Sequence, residues 1–482
     1  MSKCLTLLAA SVLALGGCQV MGPDYHLPRQ AAVNRADLQG ALAGQSQDVV
    51  SAPVPADWWK LYNDPRLNGL VEQALAANTD LRVAAANLAR AQNQVEVAQS
   101  QGGFSTSVSG EAQRLQESGQ AFLLTEKVPV ANIAALSIKT SYQFDMWGVF
   151  QRGVEAANAN ADAAQAGADT ARISVVANVV RAYTQVCAAN EERDIALHSL
   201  DLQQQGVQLA QRLRDAGRGD ETQVTRTQTQ FKSLRAELPK FEAERQGGLY
   251  QLAMLLARPV GQLPAGTDSC AELPRIAQAL PVGDGAALLK RRPDVRQAER
   301  KLAAATAQIG VATGQLYPDI SFGATVGTVG IAKDLGEPST NRWGFGPLIN
   351  WSIPTNGSRA RVRAAEADTQ AALASFDGVV LNAVRETQTT LANYTAALQR
   401  REALQDAERS AHDAAEQTHR FYTAGRQSFL EDLQATRTYT EVRGQLAVAN
   451  TQVAMQQVNL FLALGGGWQP HAQGAGSPTK RP

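Results

Sequence analysis

The stretch "ALSIKTSYQFDMWG", Ala135 to Gly148, sets Ile138, Thr140, Tyr142, Phe144 and Met146 against Lys139, Ser141, Gln143 and Asp145. A second stretch does the same. In "WGFGPLINWSIP" (Trp343–Pro354), Trp343, Phe345, Pro347, Ile349, Trp351 and Ile353 alternate with Gly344, Gly346, Asn350 and Ser352. Each has a weaker partner upstream, "GFSTSVSGEAQ" (Gly103–Gln113) and "YPDISFGATVGTV" (Tyr317–Val329), the latter carried by Ile320, Phe322, Ala324 and Val326. Period-two alternation over about ten residues, apolar and aromatic one way and small or polar the other, is the pattern of a membrane β-strand. A soluble antiparallel sheet with one wet face produces it too. Two such hairpins in one chain, at matching positions of a duplicated pattern, favour the membrane.

Four strands cannot close. The smallest outer-membrane barrels need about eight, and an open edge in lipid leaves backbone groups unsatisfied at several kcal/mol each. Subunits must therefore pool strands, and three copies would supply about twelve.

The rest of the chain is helical and written twice. "LRDAGRGDETQVTRTQTQF" (Leu213–Phe231) answers to "FYTAGRQSFLEDLQATRTYT" (Phe421–Thr440), each with an Ala-Gly-Arg break between long helical patterns. "VVANVVRAYTQV" answers to "VVLNAVRETQTT", and "NTDLRVAAANLARAQNQVEVAQS" to "RPDVRQAERKLAAATAQIGVATG". The runs 153–213 and 359–422 hold no proline and little glycine. Each predicts about 60 residues of helix, about 90 Å if continuous. Rich in Ala and Gln, they suit close side-by-side packing as a coiled-coil wall rather than a wide globular core. Pro239 is expected to kink or interrupt its helix, whereas Pro293 suits a first turn. The implied organisation is a signal peptide at 1–17, an extended N-terminal segment at 18–57, repeats at 58–270 and 271–468, and a disordered tail at 469–482.

At the N-terminus a single Lys3 precedes an apolar run of about 11 residues, too short to span a bilayer, followed by Leu15-Gly16-Gly17-Cys18. Those are the parts of a secretory signal ending in a lipobox, with Cys18 the lipidated first residue of the mature chain. Gln19, rather than Asp, follows it and favours the outer membrane. Lys plus Arg and Asp plus Glu number 45 each, so no bulk field points to nucleic acid. Cys187 and Cys270 remain; an exported chain can pair them, or both can stay as buried thiols. No apolar window after Leu15 is long enough for a transmembrane helix.

The chain resembles the bacterial outer-membrane factors, TolC-like channels, in their NodT-type efflux lipoprotein branch. The likeness covers nearly the whole mature sequence. It is carried by "CQVMGPDYHLP" from Cys18, "DWWKLYNDPRLNGLVEQALAANTDLRVA" from Asp57, "RRPDVRQAERKLAAATAQIGVATGQLYPDISF" from Arg291, and the two Ala-Gly-Arg breaks. The resemblance implies a mainly helical fold with a β-barrel part. In it, a homotrimer forms a 12-stranded outer-membrane barrel that continues into a periplasmic α-helical barrel. It implies passive export of drugs or other small molecules from a periplasmic adaptor and an inner-membrane transporter, with no enzymatic step and no cofactor beyond lipid on Cys18. The helical tips would form the periplasmic end and meet the adaptor, here at Gly217, Arg218, Gly425 and Arg426. Relatives close that end with acidic rings and a Tyr/Arg network, which points to Tyr422, Arg426, Glu431, Asp432 and Gln434, with Asp220 and Glu221 at the first tip. Where relatives often carry two aspartates three apart, this chain has Glu431 and Gln434, with Asp432 adjacent.

Other readings are weaker. His412, Glu416 and His419 share a helical face and could bind metal, but such pairs are commoner on solvated helices. "GGGW" (Gly465–Trp468) lacks the strand and helix that flank a phosphate loop. The rivals to a small-molecule duct are a type I protein-secretion duct and a poreless coiled-coil envelope lipoprotein. Aromatic, outward-facing strands have no use in the last.

Overall fold

A computed structural model describes residues 20–40, 48–123, 125–270, 272–276 and 278–466. Cys18, the signal segment and the tail from 469 onward lie outside them.

The elements repeat. The first copy runs α1 (Pro65–Ala77), α2 (Thr79–Ser100), β1 (Gly103–Leu115), β2 (Ala131–Phe144), α3 (Val149–Asp215) and α4 (Glu221–Leu255). The second runs α5 (Gly285–Arg291), α6 (Pro293–Gly314), β3 (Asp319–Ile331), β4 (Asn341–Asn350), α7 (Asn356–Thr423) and α8 (Phe429–Ala463). Most counterparts match in length: α2 and α6 have 22 residues, β1 and β3 have 13, and α4 and α8 have 35, whereas α1 and α5 have 13 and 7 and β2 and β4 have 14 and 10. The long pair, α3 and α7, have 67 and 68. Pro293 opens α6 as expected. Pro239 does not break α4, which runs through it. Pro239 and Arg235, whose carbonyl loses its partner, are both exposed, where solvent can reach the freed acceptor.

The chain folds as two compact units. Of the described residues, those within 20–28, 88–164 and 298–376 form the first, which holds an antiparallel sheet in the order β1-β2-β3-β4. Its register separates the two chemistries. Phe104, Tyr142, Phe322 and Pro347 share one row, and Val108, Ile138, Val326 and Trp343 another. Rows of the opposite parity hold Ser105, Ser141, Gly323 and Gly346, or Ser107, Lys139, Thr325 and Gly344. Ser–Ser contacts of 2.9 Å cross the polar face between Ser105 and Ser141 and between Ser109 and Ser137. The apolar face is bare, with Phe104 79%, Trp343 77% and Phe345 72% exposed. Outer strands β1 and β4 each have one unpaired edge among the described residues. The N-terminal segment is tied beside the sheet. Arg152 donates to the Met21 and Gly22 carbonyls and pairs with Asp24 at 2.6 Å, and the Tyr25 hydroxyl reaches Glu299 at 3.3 Å. Burial, then the Glu299 charge, pushes the Tyr25 phenol up to about 12.

Of the described residues, those within 29–87, 165–297 and 377–466 form the second unit. It contains a larger apolar core than the Ala-rich composition of the helices suggested. Val175, Val176, Val179, Val180 and Val186 of α3 pack with Leu249, Leu252 and Leu255 of α4, Leu391 of α7 and Val458 of α8. Into this core the "DWWKLY" turn drives Trp58, stacked on Phe461 at 4.6 Å. A few β-branched residues at helical spacing supply what the neighbouring alanines cannot. Val49 and Val50 pair in parallel with Leu280 and Pro281, clipping the extended N-terminal segment onto the connector between the repeats. Cys187 and Cys270 form a disulfide, which resolves the choice left open by the sequence.

Candidate functional site

The functional candidates lie at the two hairpin tips, where a long helix turns back into its 35-residue partner. Both tips end the long helix the same way. Gly217 and Gly425 adopt φ of +67° and +70°. At the first tip the Gly217 N–H donates to the Arg214 carbonyl and the Arg218 N–H to Leu213; at the second, Gly425 donates to Tyr422 and Arg426 to Phe421. This double bond pattern with a left-handed glycine satisfies the last free carbonyls. A Cβ at Gly425 would meet no atom within 4 Å, so any cost there is backbone strain alone. Gly425→Ala should lower tip stability by about 1–2 kcal/mol. Limited proteolysis checks it: cleavage near 425 should quicken, and an unchanged rate would contradict the assignment.

Each returning helix starts on a capping side chain. Asp220 accepts from the Gln223 N–H at 2.7 Å and so caps α4. Ser428 and Glu431 form a reciprocal capping box on α8, Glu431 accepting from the Ser428 N–H at 2.8 Å. Those bonds from the Ser428 backbone and hydroxyl lower the Glu431 pKa. At the first tip Glu221 pairs with Arg214 at 3.1 Å. Asp220, Glu221 and Glu431 thus have local partners.

Asp432 differs. Its carboxylate is buried, 7% exposed as a residue, with one oxygen 3.1 Å from His419 Nδ1 and the other, Oδ1, without a hydrogen-bond partner. Tyr422 lies beside this pair, its ring 6.5 Å from His419 and 5.7 Å from Phe429. Arg426 and Gln434 are exposed and lie outside this cluster. The second tip therefore brings together His419, Tyr422, Phe429 and Asp432, and leaves Glu431 to its helix cap.

His419 entered the sequence reading only as a metal candidate. The signal for its other role was symmetry: it stands six residues before Gly425, as Asp432 stands six after Arg426, so an antiparallel hairpin sets them opposite. By the same rule His412 faces Tyr439, at 5.2 Å between rings. The two histidines, two turns apart, each engage α8, and among the described residues no cluster of three metal-ligating side chains occurs.

Duplicated helical hairpins carrying an amphipathic sheet with open edges define a channel subunit of the envelope. The chain belongs to the outer membrane efflux protein family, whose sequence model matches it at residues 70–258 and 286–466, one stretch in each repeat. It is 29% identical to nodulation protein T of Rhizobium leguminosarum bv. trifolii over 469 residues, covering 96% of this chain and 97% of that one. It is 28% identical to the pyoverdine export outer membrane protein OpmQ of Pseudomonas putida, across 99% and 98% of the two chains. Among solved structures, the outer-membrane channel OprN superposes with a TM-score of 0.85 at 32% identity, over 94% of this chain and all of that one. The open state of the MtrE channel of Neisseria gonorrhoeae gives 0.79 at 25% identity, over 93% and 98%. The protein is an outer-membrane efflux channel subunit, and its sheet is its share of a membrane barrel.

Proposed function

We propose that three copies of this chain pool their sheets into one 12-stranded barrel and their long helices into a periplasmic conduit. Small molecules handed over by an inner-membrane transporter through a periplasmic adaptor pass along it to the exterior, without chemistry. The observation that carries this is the sheet itself: a bare aromatic face, a Ser/Gly face, and unpaired edges on β1 and β4. Edge pairing between copies is what removes those edges from lipid. Lipid on Cys18 would deliver and tether each subunit, while the barrel provides the lasting anchor. A small-molecule cargo is favoured over a protein by relatives named for pyoverdine export and toluene efflux. The tips carrying Gly217, Arg218, Gly425 and Arg426 would meet the adaptor.

The second tip would be the closed end. His419 clasped to a buried Asp432, with Tyr422 alongside, holds α7 against α8 where three tips would converge. The test is single-channel conductance of the purified protein in planar bilayers. Native mass should be that of three chains. Asp432→Ala should raise conductance severalfold, and Glu431→Ala much less, since it removes only a cap. A strictly monomeric, non-conducting protein sinks the conduit, and an Asp432 variant with wild-type conductance sinks the latch.

A further inference from the structure

We propose that the middle of the sheet's polar face is an anion filter, with Lys139 and Arg342 as its selective residues. This rests on the reading that the polar face lines the exit pore.

The register places Lys139 in the row with Ser107, Thr325 and Gly344, and Arg342 in the next row outward with Ser109, Ser137 and Gly327. Arg342 is one row (about 7 Å) and two strands (about 10 Å) from Lys139, about 12 Å in all, so an ion between them lies within the screening length of about 8–10 Å of both. The two cations thus act on a passing ion together. Both are exposed. Both line one hollow of about 410 Å³ over Gly323, Thr325, Gly344 and Gly346. Glycine at 344 and 346, where a Cβ would meet nothing within 4 Å, leaves the space above β4 open, so an ion can reach the two side chains. The hydroxyls of Ser107 and Thr325 offer further donors beside the charges.

The acids of this face flank that band. Glu111 lies one row further outward, on the opposite outer strand, paired with Ala135. Asp319 is the first residue of β3, three rows inward of Lys139. Charge on the face is therefore banded along the channel, with Asp319 at the inner end, Lys139 and Arg342 in the middle, and Glu111 one row beyond Arg342. An ion pathway of this kind takes its selectivity from the sign of the ring it passes. Repeated around a threefold barrel, Lys139 and Arg342 give a six-cation belt that retains carboxylate-, phosphate- or sulfate-bearing molecules and repels cations. Neither residue can serve a lipid headgroup, because the alternation turns Trp343, Phe345 and Ile138 to the other face.

The experiment uses the full-length protein in planar bilayers under a potassium chloride gradient, with inorganic tripolyphosphate added from the barrel side. Wild-type channels should prefer chloride and be blocked by tripolyphosphate from that side. Lys139→Gln/Arg342→Gln should lower the chloride-to-potassium permeability ratio about threefold and weaken the block at least tenfold, and Glu111→Gln should move the ratio the other way. Gln is tolerated on this exposed face, so trimer yield should not change. If the wild-type protein forms no channel, the conduit reading falls and the filter with it. Channels whose ratio and block are the same in wild type and the double variant overturn the filter alone.

Discussion

Arg292→Met is expected to cost about 2–4 kcal/mol of stability, less than a fully buried pair because Asp294 and Glu386 are each about one-third exposed. Arg292 is 8% exposed and stands immediately before Pro293, the first residue of α6. Its guanidinium donates to the Ala463 carbonyl at 2.7 Å, to Asp294 at 2.7 Å and to Glu386 of α7 at 2.9 Å. One planar group thus joins the start of α6, the middle of α7 and the last carbonyl of α8. Burial alone would lower its pKa, but the hydrogen bonds and charges of Asp294 and Glu386 outweigh it and raise it. Methionine keeps the stem and fills the space, yet leaves Glu386 without its cation and the Ala463 carbonyl without this donor. The cost comes from those stranded acceptors. Lysine should recover little, since one ammonium cannot satisfy three divergent acceptors. Thermal unfolding of the detergent-solubilised protein, followed by helical circular dichroism, checks this. A Met variant that melts with the wild type would show that the cluster adds nothing.

The residues that made the fold readable were those whose spacing alone dictates a conformation. Ile138, Tyr142 and Phe144 can face one way only if the chain is extended, and glycine at 217 and 425 marks where a helix stops by a left-handed residue. Two features escaped because they depend on what lies across space. Pro239 looks like a break in any linear reading; it is tolerated where it and Arg235 are exposed and solvent can reach the freed acceptor. The valine cluster of α3 looks like background among alanines until four other segments converge on it. At the tip, Glu431 and Asp432 are neighbours in sequence and equally plausible as gate acids. Helical geometry sends them different ways, one back to Ser428 and one inward to His419. No linear pattern distinguishes them, but reflection about the Ala-Gly-Arg break does.

That reflection also frames the second large effect, because the two hairpins are alike in geometry and unlike in covalent closure. Cys187 on α3 is bonded to Cys270, 83 residues on, and the loop so closed contains the distal half of α3, the first tip and all of α4. Among the described residues the second hairpin has no such bond. Restricting a loop of this length in the unfolded chain is worth about 4–5 kcal/mol on the entropy model. Asn190 reinforces the junction, donating to the Cys270 and Asp268 carbonyls at 2.8 and 3.0 Å. Such a bond persists only in an oxidising compartment, in keeping with an exported protein. The double variant Cys187→Ala/Cys270→Ala avoids burying an unpartnered hydroxyl at Cys187, which is fully buried, and so isolates the cross-link. It should lower the melting midpoint and speed amide exchange selectively across 188–269, with residues 392–457 little changed. Dithiothreitol should reproduce the effect in the wild type only slowly, because both sulfurs lie inside the core. If exchange rises equally in both hairpins, or in neither, the disulfide does not hold the first hairpin apart from the second.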